Sequence, residues 1–139
     1  MVSTLSISTF LDVLRESTQR CYERSAFTFL RYAGKKVQSA VSVSYSDLDL
    51  AAKAIAAKLQ SLDLVGERAL LLYPPGLEFV SAFLGCLYAG VIAVPAYPPR
   101  RNQKLSRLQS IISDAQAKIV LTVDARLQEM QSRFIDSMA

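Results

Sequence analysis

The stretch Ala69–Ala96, ALLLYPPGLEFVSAFLGCLYAGVIAVPA, decides the fold of this chain. It opens with five apolar or aromatic residues, Ala69–Tyr73, and this absence of polar alternation is typical of a strand covered on both faces. Pro74 and Pro75 end the strand, because a proline has no N–H to donate to a neighbouring strand. Since the fixed φ of proline also suits the first turn of a helix, we expect a helix to begin at Pro75.

The second half of this stretch predicts a buried helix and a second buried strand. The helix runs to Ala89, and Glu78 is its only charge, which indicates burial rather than a surface position. Gly90 stands where a left-handed C-cap is expected, and Val91–Val94 follows as a strand. The helix has a broad apolar stripe of Leu77, Val80, Phe83, Leu84 and Leu87. Strand, helix and strand with short joints predict a right-handed βαβ unit.

The residues before this stretch predict a helix and a β-hairpin. Ser8 is expected to cap a helix over Thr9–Arg20. The runs Ala26–Tyr32 and Val37–Ser44 are typical of strands, and Gly34 in the turn between them can adopt a positive φ.

Further helices and a third strand complete the prediction. Ser46–Asp49 resembles a capping box for a helix that continues to about Leu62. After Ala96, periodicity predicts a helix over Asn102–Ala115, a buried strand over Lys118–Thr122 and a last helix from Asp124.

The order of these elements predicts an α/β fold. A helix, a hairpin and a helix precede β-α-β-α-β-α, which indicates a partial parallel sheet with flanking helices. Such sheets have both faces covered and more than three strands as a rule. We therefore expect residues 1–139 to be one incomplete N-terminal subdomain without an internal boundary. Its open strand edge would favour self-association.

Composition excludes several classes of protein. The chain has 139 residues, 51% of them hydrophobic and 20% charged, which is globular rather than disordered composition. No apolar run reaches the length of a transmembrane helix, and the first residues do not form a secretion signal. The two isolated cysteines, Cys21 and Cys86, are typical of a reducing cytoplasm. A net charge of +4 gives no argument for nucleic-acid binding.

Familiar catalytic motifs are missing from the sequence. The chain has no histidine, which excludes imidazole catalysis and histidine-bound metals. Its glycines have neither the spacing of a Walker loop nor that of a dinucleotide fingerprint. Asp47 and Asp49 stand at a helix start, where capping explains them. The residues therefore assign no catalytic, cofactor-binding or metal-binding side chain.

A cluster of positive charge is the one polar feature that stands out. It consists of Arg100, Arg101, Lys104 and Arg107. In the predicted helix, Lys104 lies four positions after Arg100 and three before Arg107, so these three side chains would share a face. One interpretation is a solvated helix face, which is what charge runs usually are. The other is a docking site for an anionic partner.

Three motifs in order make the chain resemble a known family. They are Tyr73–Phe79 (YPPGLEF), Gly85–Gly90 (GCLYAG) and Pro95–Arg100 (PAYPPR). Upstream, Ala26–Leu30 (AFTFL) and Tyr45–Leu48 (YSDL) agree, as does Ser113–Ala115 (SDA) downstream. With these motifs the chain resembles the N-terminal part of fatty acyl-AMP ligases, in the adenylate-forming, acyl-CoA synthetase-like superfamily. The two double-proline segments favour this branch.

The resemblance implies a reaction for the complete enzyme. Such ligases use ATP and Mg²⁺ to convert a fatty acid into an acyl-adenylate, and they pass the acyl group to an acyl carrier protein. The family's phosphate loop, adenine- and ribose-binding motifs and C-terminal lysine have no counterpart in these residues. We therefore expect this piece alone to be inactive and to need the rest of the adenylate-forming domain. A long-chain acyl-CoA ligase of the same superfamily, or a non-catalytic module that docks a carrier protein through Arg100–Arg107, remain alternatives.

Overall fold

The computed structural model describes residues 9–100 and 103–138, with side chains through residue 136. The chain divides into two compact units, one ending at Ala51 and one beginning at Ala52. Ten helices and strands are found within the described residues, in the predicted order. They are α1 (Phe10–Arg20), β1 (Ser25–Ala33), β2 (Lys36–Ser44), α2 (Tyr45–Ser61), β3 (Arg68–Leu72), α3 (Leu77–Ala89), β4 (Ile92–Pro95), α4 (Ser106–Ala115), β5 (Ile119–Thr122) and α5 (Asp124–Met138).

Both helix starts in the first unit are capped one or two residues away from the predicted position. Thr9 is the N-cap of α1, since Thr9 Oγ1 accepts a hydrogen bond from the Asp12 N–H at 3.2 Å and Asp12 Oδ2 accepts from the Thr9 N–H at 3.0 Å. The predicted cap, Ser8, lies outside the described residues. Ser44 Oγ accepts from the Asp47 N–H at 3.1 Å, so Ser44 rather than Ser46 caps α2.

The predicted hairpin is confirmed in the first unit. β1 and β2 pair antiparallel, with Phe29 opposite Val41. Gly34, in the turn, has φ +63°, a conformation that glycine adopts without steric cost.

The second unit contains a three-stranded parallel sheet in the order β4-β3-β5. The central strand β3 pairs with both others, so that Leu70 lies between Val94 and Val120. This confirms the α/β class, with a partial parallel sheet and flanking helices.

Successive side chains of β3 point to opposite faces of the sheet and divide the core in two. Ala69 and Leu71 pack with small and branched residues of α2 and α3, including Leu59 and Cys86. Leu70 and Leu72 pack on the other face with Leu108 of α4 and Met130 of α5. Helices α2 and α3 therefore cover one face, and α4 and α5 cover the other.

Helix α3 buries a different face from the one expected. Its buried residues are mostly small: Ala82, Leu84, Gly85, Cys86 and Ala89. Of the predicted stripe, only Leu84 is buried, and the others are half-buried. The reason is a close approach to α2, because a Cβ added at Gly85 would lie 2.7 Å from Ile55 Cβ. Small side chains let the two helix backbones come this near.

Candidate functional site at the carboxyl edge of the sheet

The topology of the second unit opens a crevice at the carboxyl ends of its strands. β3 and β4 are neighbours, yet the chain leaves β3 toward α3 on one face and leaves β4 toward α4 on the other. In open parallel sheets, ligands bind where the strand order reverses, which in the order β4-β3-β5 is between β3 and β5. There the Thr122 hydroxyl donates to the Leu72 carbonyl at 2.6 Å and ties the strand ends together, whereas a cleft opens between β3 and β4.

A cleft of about 320 Å³ lies outside the carboxyl ends of β3 and β4, and we call it the β3/β4 cleft. Tyr73, Pro74 and Pro75 follow β3, Phe79 comes from the first turns of α3, and Pro95–Tyr97 end β4 and follow it. The double proline after β3 and the single Pro95 at the end of β4 therefore help to build the cleft.

Few hydrogen-bond donors face this cleft. Three of its seven lining residues are prolines, which have no N–H. The N–H of Ala96 is already used, since it donates to the Leu71 carbonyl at 3.0 Å. A Cβ added at Gly76 would lie 2.8 Å from Glu78 Oε2, so this carboxylate folds back toward the start of α3. Because a negative group occupies the helix start, the cleft disfavours an anion there.

Two titratable groups near the cleft are held in their neutral forms. Burial, with smaller contributions from Cys86 and Glu78, raises the pKa of the Tyr73 hydroxyl. Burial raises the pKa of the Cys86 thiol to about 11. The thiolate is the nucleophilic form of cysteine, so Cys86 is an inert core residue at neutral pH.

The basic cluster lies next to this cleft, but not on one helical face. α4 begins at Ser106, so Arg100 and Lys104 precede the helix and only Arg107 belongs to it. Asn102 and Arg101 lie outside the described residues. Ahead of the helix, the Gln103 N–H donates to the Arg100 carbonyl at 2.9 Å and the Arg100 N–H donates to Gln103 Oε1 at 3.1 Å.

Lys104 and Arg107 nonetheless share a second, smaller cleft. It has a volume of about 150 Å³ and adjoins the first through Tyr97, which lines both. Pro99, Gln103, Leu108 and Ile111 complete its lining. Arg100, Lys104 and Arg107 are all exposed to solvent.

Arg133, a cation that the sequence pattern did not single out, lies beside this second cleft. Arg133 of α5 donates from Nη2 to the Gln103 carbonyl at 2.6 Å. Its Nη1 is buried and has no hydrogen-bond partner among the described residues. The signal was present in the helical spacing, because Arg133 shares a face of α5 with Met130 and Phe134, which pack on the sheet.

The described residues carry no site for a metal ion and no membrane span. No three His, Cys, Asp or Glu side chains within residues 9–100 and 103–138 lie close enough together to hold a metal. No helix in that part of the chain is long and apolar enough to cross a bilayer.

Comparison with known proteins identifies the family. Residues 14–137 match the family model of the AMP-binding enzymes. JamA of Moorena producens (strain JHB), a medium-chain-fatty-acid–[acyl-carrier-protein] ligase, is 44% identical over 133 residues, which cover 94% of this chain and 22% of that protein. FadD23 of Mycobacterium tuberculosis (strain CDC 1551 / Oshkosh), a long-chain-fatty-acid–AMP ligase, is 31% identical over 122 residues, which cover 88% of this chain and 21% of that protein.

A solved structure agrees with the sequence relatives. The fatty acyl-adenylate ligase from L. pneumophila, in complex with acyl adenylate and pyrophosphate, superposes with a TM-score of 0.77 at 39% identity. The match covers 85% of this chain and 20% of that one. The chain thus spans about a fifth of the length of these proteins. It belongs to the AMP-binding enzyme family and has the fold of the N-terminal part of adenylate-forming enzymes.

Proposed function

We propose that this chain is the N-terminal part of a fatty acyl-AMP ligase. The complete enzyme would join a fatty acid to ATP, release pyrophosphate and hold the acyl-adenylate. The observation that carries the proposal is the 44% identity to a fatty-acid–[acyl-carrier-protein] ligase over 94% of the chain. The likeness to a ligase bound to acyl adenylate supports the same reaction.

The reactive groups of this enzyme would lie outside the present residues. ATP and Mg²⁺ are the cofactors of the proposed reaction, but the described residues do not fit them. They offer no cluster of oxygen ligands for the metal. The glycines do not form a phosphate-binding loop, and prolines replace backbone donors at the carboxyl ends of β3 and β4. These residues would therefore supply a scaffold and a wall of the site.

Fatty-acid-dependent exchange of radioactive pyrophosphate into ATP tests the proposal on the polypeptide that carries this segment. We expect exchange with fatty acids and none with amino acids or aryl acids of similar size. The 139-residue chain is the matched control and should give no exchange. Exchange driven by amino acids or aryl acids alone would contradict the proposal, as would activity of the 139 residues by themselves.

The acyl acceptor is the second point to test. We infer that the acyl acceptor is an acyl carrier protein rather than coenzyme A. Such an acceptor fits a role in lipid or polyketide biosynthesis in the cytoplasm. The name of the relative JamA supports this choice. Transfer of a labelled acyl group to a phosphopantetheinylated carrier protein, with coenzyme A in a parallel reaction, separates the two acceptors. Faster transfer to coenzyme A would favour an acyl-CoA ligase.

The exposed cations Arg100, Lys104 and Arg107 are our candidates for carrier docking, with Arg101 beside them in the sequence. Carrier proteins with acidic surfaces would be attracted to this basic region, and salt would screen the attraction. Reversal of Arg100, Lys104 and Arg107 to glutamate should weaken carrier binding, most strongly at low salt. Lys118→Glu, a single charge reversal at the opposite edge of the sheet, is the control for each of these three reversals made alone. Carrier binding by the reversals equal to that of the control would exclude the docking site.

The sheet would be completed by further polypeptide. β4 and β5 are the outer strands of the sheet within the described residues. Unpaired strand edges favour pairing with another chain, so we expect the 139-residue chain to self-associate. Sedimentation equilibrium of this chain tests the expectation, and a monomer at all concentrations would contradict it.

A further inference from the structure

We propose that the second cleft, the one that Lys104 and Arg107 line, binds a phosphate group. The inference does not depend on the ligase reaction, because it rests on the size, the charges and the walls of this cleft. Its volume is about 150 Å³, which is the space of about five water molecules. A tetrahedral phosphate group fits such a space, whereas a whole nucleotide would extend far beyond it.

All the charge in the lining of the second cleft is positive. Lys104 and Arg107 are exposed, and neither forms an ion pair with another described residue. Gln103 Oε1 already accepts from the Arg100 N–H, so the amide NH₂ is the group that Gln103 has left to donate. The lining is completed by Tyr97, Pro99, Leu108 and Ile111, none of which is acidic. Charged and amide donors without a competing carboxylate favour an anion, and hydrogen bonds from cations to phosphate are among the strong ones.

Arg133 of α5 adds a third positive charge, which has no counter-charge among the described residues. Its Nη2 donates to the Gln103 carbonyl at 2.6 Å, and this bond holds the guanidinium beside the cleft. Its Nη1 is buried and has no hydrogen-bond partner in the part of the chain that the structure describes. A buried donor without an acceptor costs free energy, and a buried charge costs more unless an opposite charge lies near it. A phosphate group in the second cleft would supply that opposite charge.

The apolar walls of the cleft strengthen the attraction. Leu108 is buried in the core of the second unit, and Pro99 and Ile111 line the cleft with it. Apolar walls lower the local dielectric constant, so a phosphate is attracted to the cations more strongly than it would be on an open surface. The walls therefore distinguish this cleft from a helix face whose charges are only solvated.

The segment that carries Lys104 is held in place before any ligand binds. The Gln103 N–H donates to the Arg100 carbonyl at 2.9 Å, and the Gln103 carbonyl accepts from Arg133. Because these bonds fix the backbone next to Lys104, little conformational freedom of the backbone is lost when the cleft is filled.

Calorimetric titration of the 139-residue chain with inorganic phosphate, in a buffer free of phosphate and sulfate, tests the proposal. Lys104→Gln and Arg107→Gln should each weaken phosphate binding about tenfold or more, because each removes a charged donor. Both side chains are exposed, so folding is not at risk. Lys118→Gln, at an exposed lysine at the amino end of β5, is the matched control for Lys104→Gln and should bind phosphate as the unchanged chain does.

Two substitutions at Arg133 separate its charge from its structural role. Glutamine and lysine can both donate to the Gln103 carbonyl, but only lysine carries a positive charge. Arg133→Lys should therefore bind phosphate more tightly than Arg133→Gln, with circular dichroism showing that both variants are folded. Equal binding by the two would exclude Arg133 as a source of charge for the cleft.

Parallel titrations identify where the phosphate group comes from. Pyrophosphate that binds more tightly than phosphate would identify a free polyphosphate as the occupant. O-phosphoserine that binds more tightly would identify a phosphate ester on a partner molecule. Acetate is the control anion. Acetate binding as tight as that of phosphate, no binding of any phosphate compound, or equal losses in Lys104→Gln and Lys118→Gln would overturn the proposal.

Failure of this proposal can be told from failure of the proposed function. If no phosphate compound binds but reversal of Arg100, Lys104 and Arg107 weakens carrier binding, these cations act only on the surface charge of the carrier. If phosphate binds as expected but the longer polypeptide activates no fatty acid, the phosphate site stands and the ligase reaction is wrong.

Discussion

The two edges of the three-stranded sheet are built in opposite ways. At the amino edge, returning segments are fixed by hydrogen bonds: the Ile92 N–H donates to the Glu67 carbonyl at 2.8 Å and the Lys118 N–H donates to the Arg68 carbonyl at 2.9 Å. Arg68 Nε also donates to the Ala115 carbonyl, at 2.9 Å, and so satisfies the end of α4. At the carboxyl edge, prolines hold the chain through fixed φ angles and leave a cleft between strands.

This difference separates stability from function within one sheet. The amino edge fixes its returning strands by backbone hydrogen bonds, and among the described residues Glu67 Oε2 is buried there without a hydrogen-bond partner. The carboxyl edge has an apolar cleft. A second cleft, lined by Lys104 and Arg107, adjoins it, since Tyr97 lines both. Substitutions at the amino edge should therefore change the free energy of unfolding, whereas exposed positions at the carboxyl edge should change binding.

The largest effect is expected in the strand that joins the two edges. Leu70 is 0% exposed and packs with Leu108 and Met130, so Leu70→Ala should lower the unfolding free energy by about 2–5 kcal/mol through lost contacts and a cavity. Urea denaturation followed by circular dichroism measures the change. Ile92→Ala, at a half-exposed position, should cost less than about 1 kcal/mol. Similar losses in both variants would mean that β3 is not the centre of the core.

The pH dependence of the unfolding free energy tests how deeply α3 is buried between the carboxyl edge and the amino edge. The pKa of Cys86 rises from 9.0 to about 11 on burial, so the folded state keeps the thiol proton where the unfolded state loses it. The stabilisation, about 2.7 kcal/mol, is complete below pH 9 and is lost as the pH rises through about 11. Unfolding curves of the unchanged chain and Cys86→Ala, compared across this window, isolate the effect. If the unfolding free energies of the two proteins changed equally with pH, the Cys86 thiol would be in contact with water.

Two arginines allow a direct test of the contrast between the edges. Arg68→Met removes a hydrogen bond to the Ala115 carbonyl from a side chain that is partly exposed, and we expect a loss of about 1 kcal/mol. Arg100→Met replaces an exposed cation at the carboxyl edge and should change stability by less than about 0.5 kcal/mol. Thermal melts of both variants provide the measurement. If Arg100→Met were the more destabilising variant, the assignment of stability to the amino edge would be wrong.

A small effect that arises in the unfolded chain is expected at Pro75, an exposed proline of the cleft. Pro75→Ala gives the unfolded chain more freedom and should lower stability by about 0.4–1 kcal/mol without altering the fold. Circular dichroism in increasing urea resolves a change of this size. A gain in stability would show that Pro75 is strained rather than fitted to its turn.

The sequence predicts the sheet well because burial leaves a clear pattern. Ala69–Tyr73 has no polar alternation, and the structure places Ala69–Leu72 in the core on both faces of the sheet. Gly90 at the end of α3 has φ +70°, as its position after the apolar helix predicts. Patterns of this kind report which side chains are removed from water, and they carry less information about what packs against them.

The candidate site was only partly predictable for the same reason. Helix α4 begins at Ser106, later than the predicted Asn102, and its N-cap Leu105 provides no side-chain hydrogen bond that would mark the start in the sequence. The buried stripe of α3 was wrong, since packing at Gly85 is decided by its distance to Ile55 and not by side-chain hydrophobicity. The cleft itself depends on strand order, and the order β4-β3-β5 cannot be deduced from the sequence of a single chain.

The most direct test of this division is how well each edge protects its backbone amides from exchange with water. Hydrogen exchange of the isotopically labelled 139-residue chain should be slow at Ile92 and Lys118, whose N–H groups donate at the amino edge, and faster at residues 76–77 and 97. Equal protection at both edges, or slower exchange at the carboxyl edge, would contradict the account.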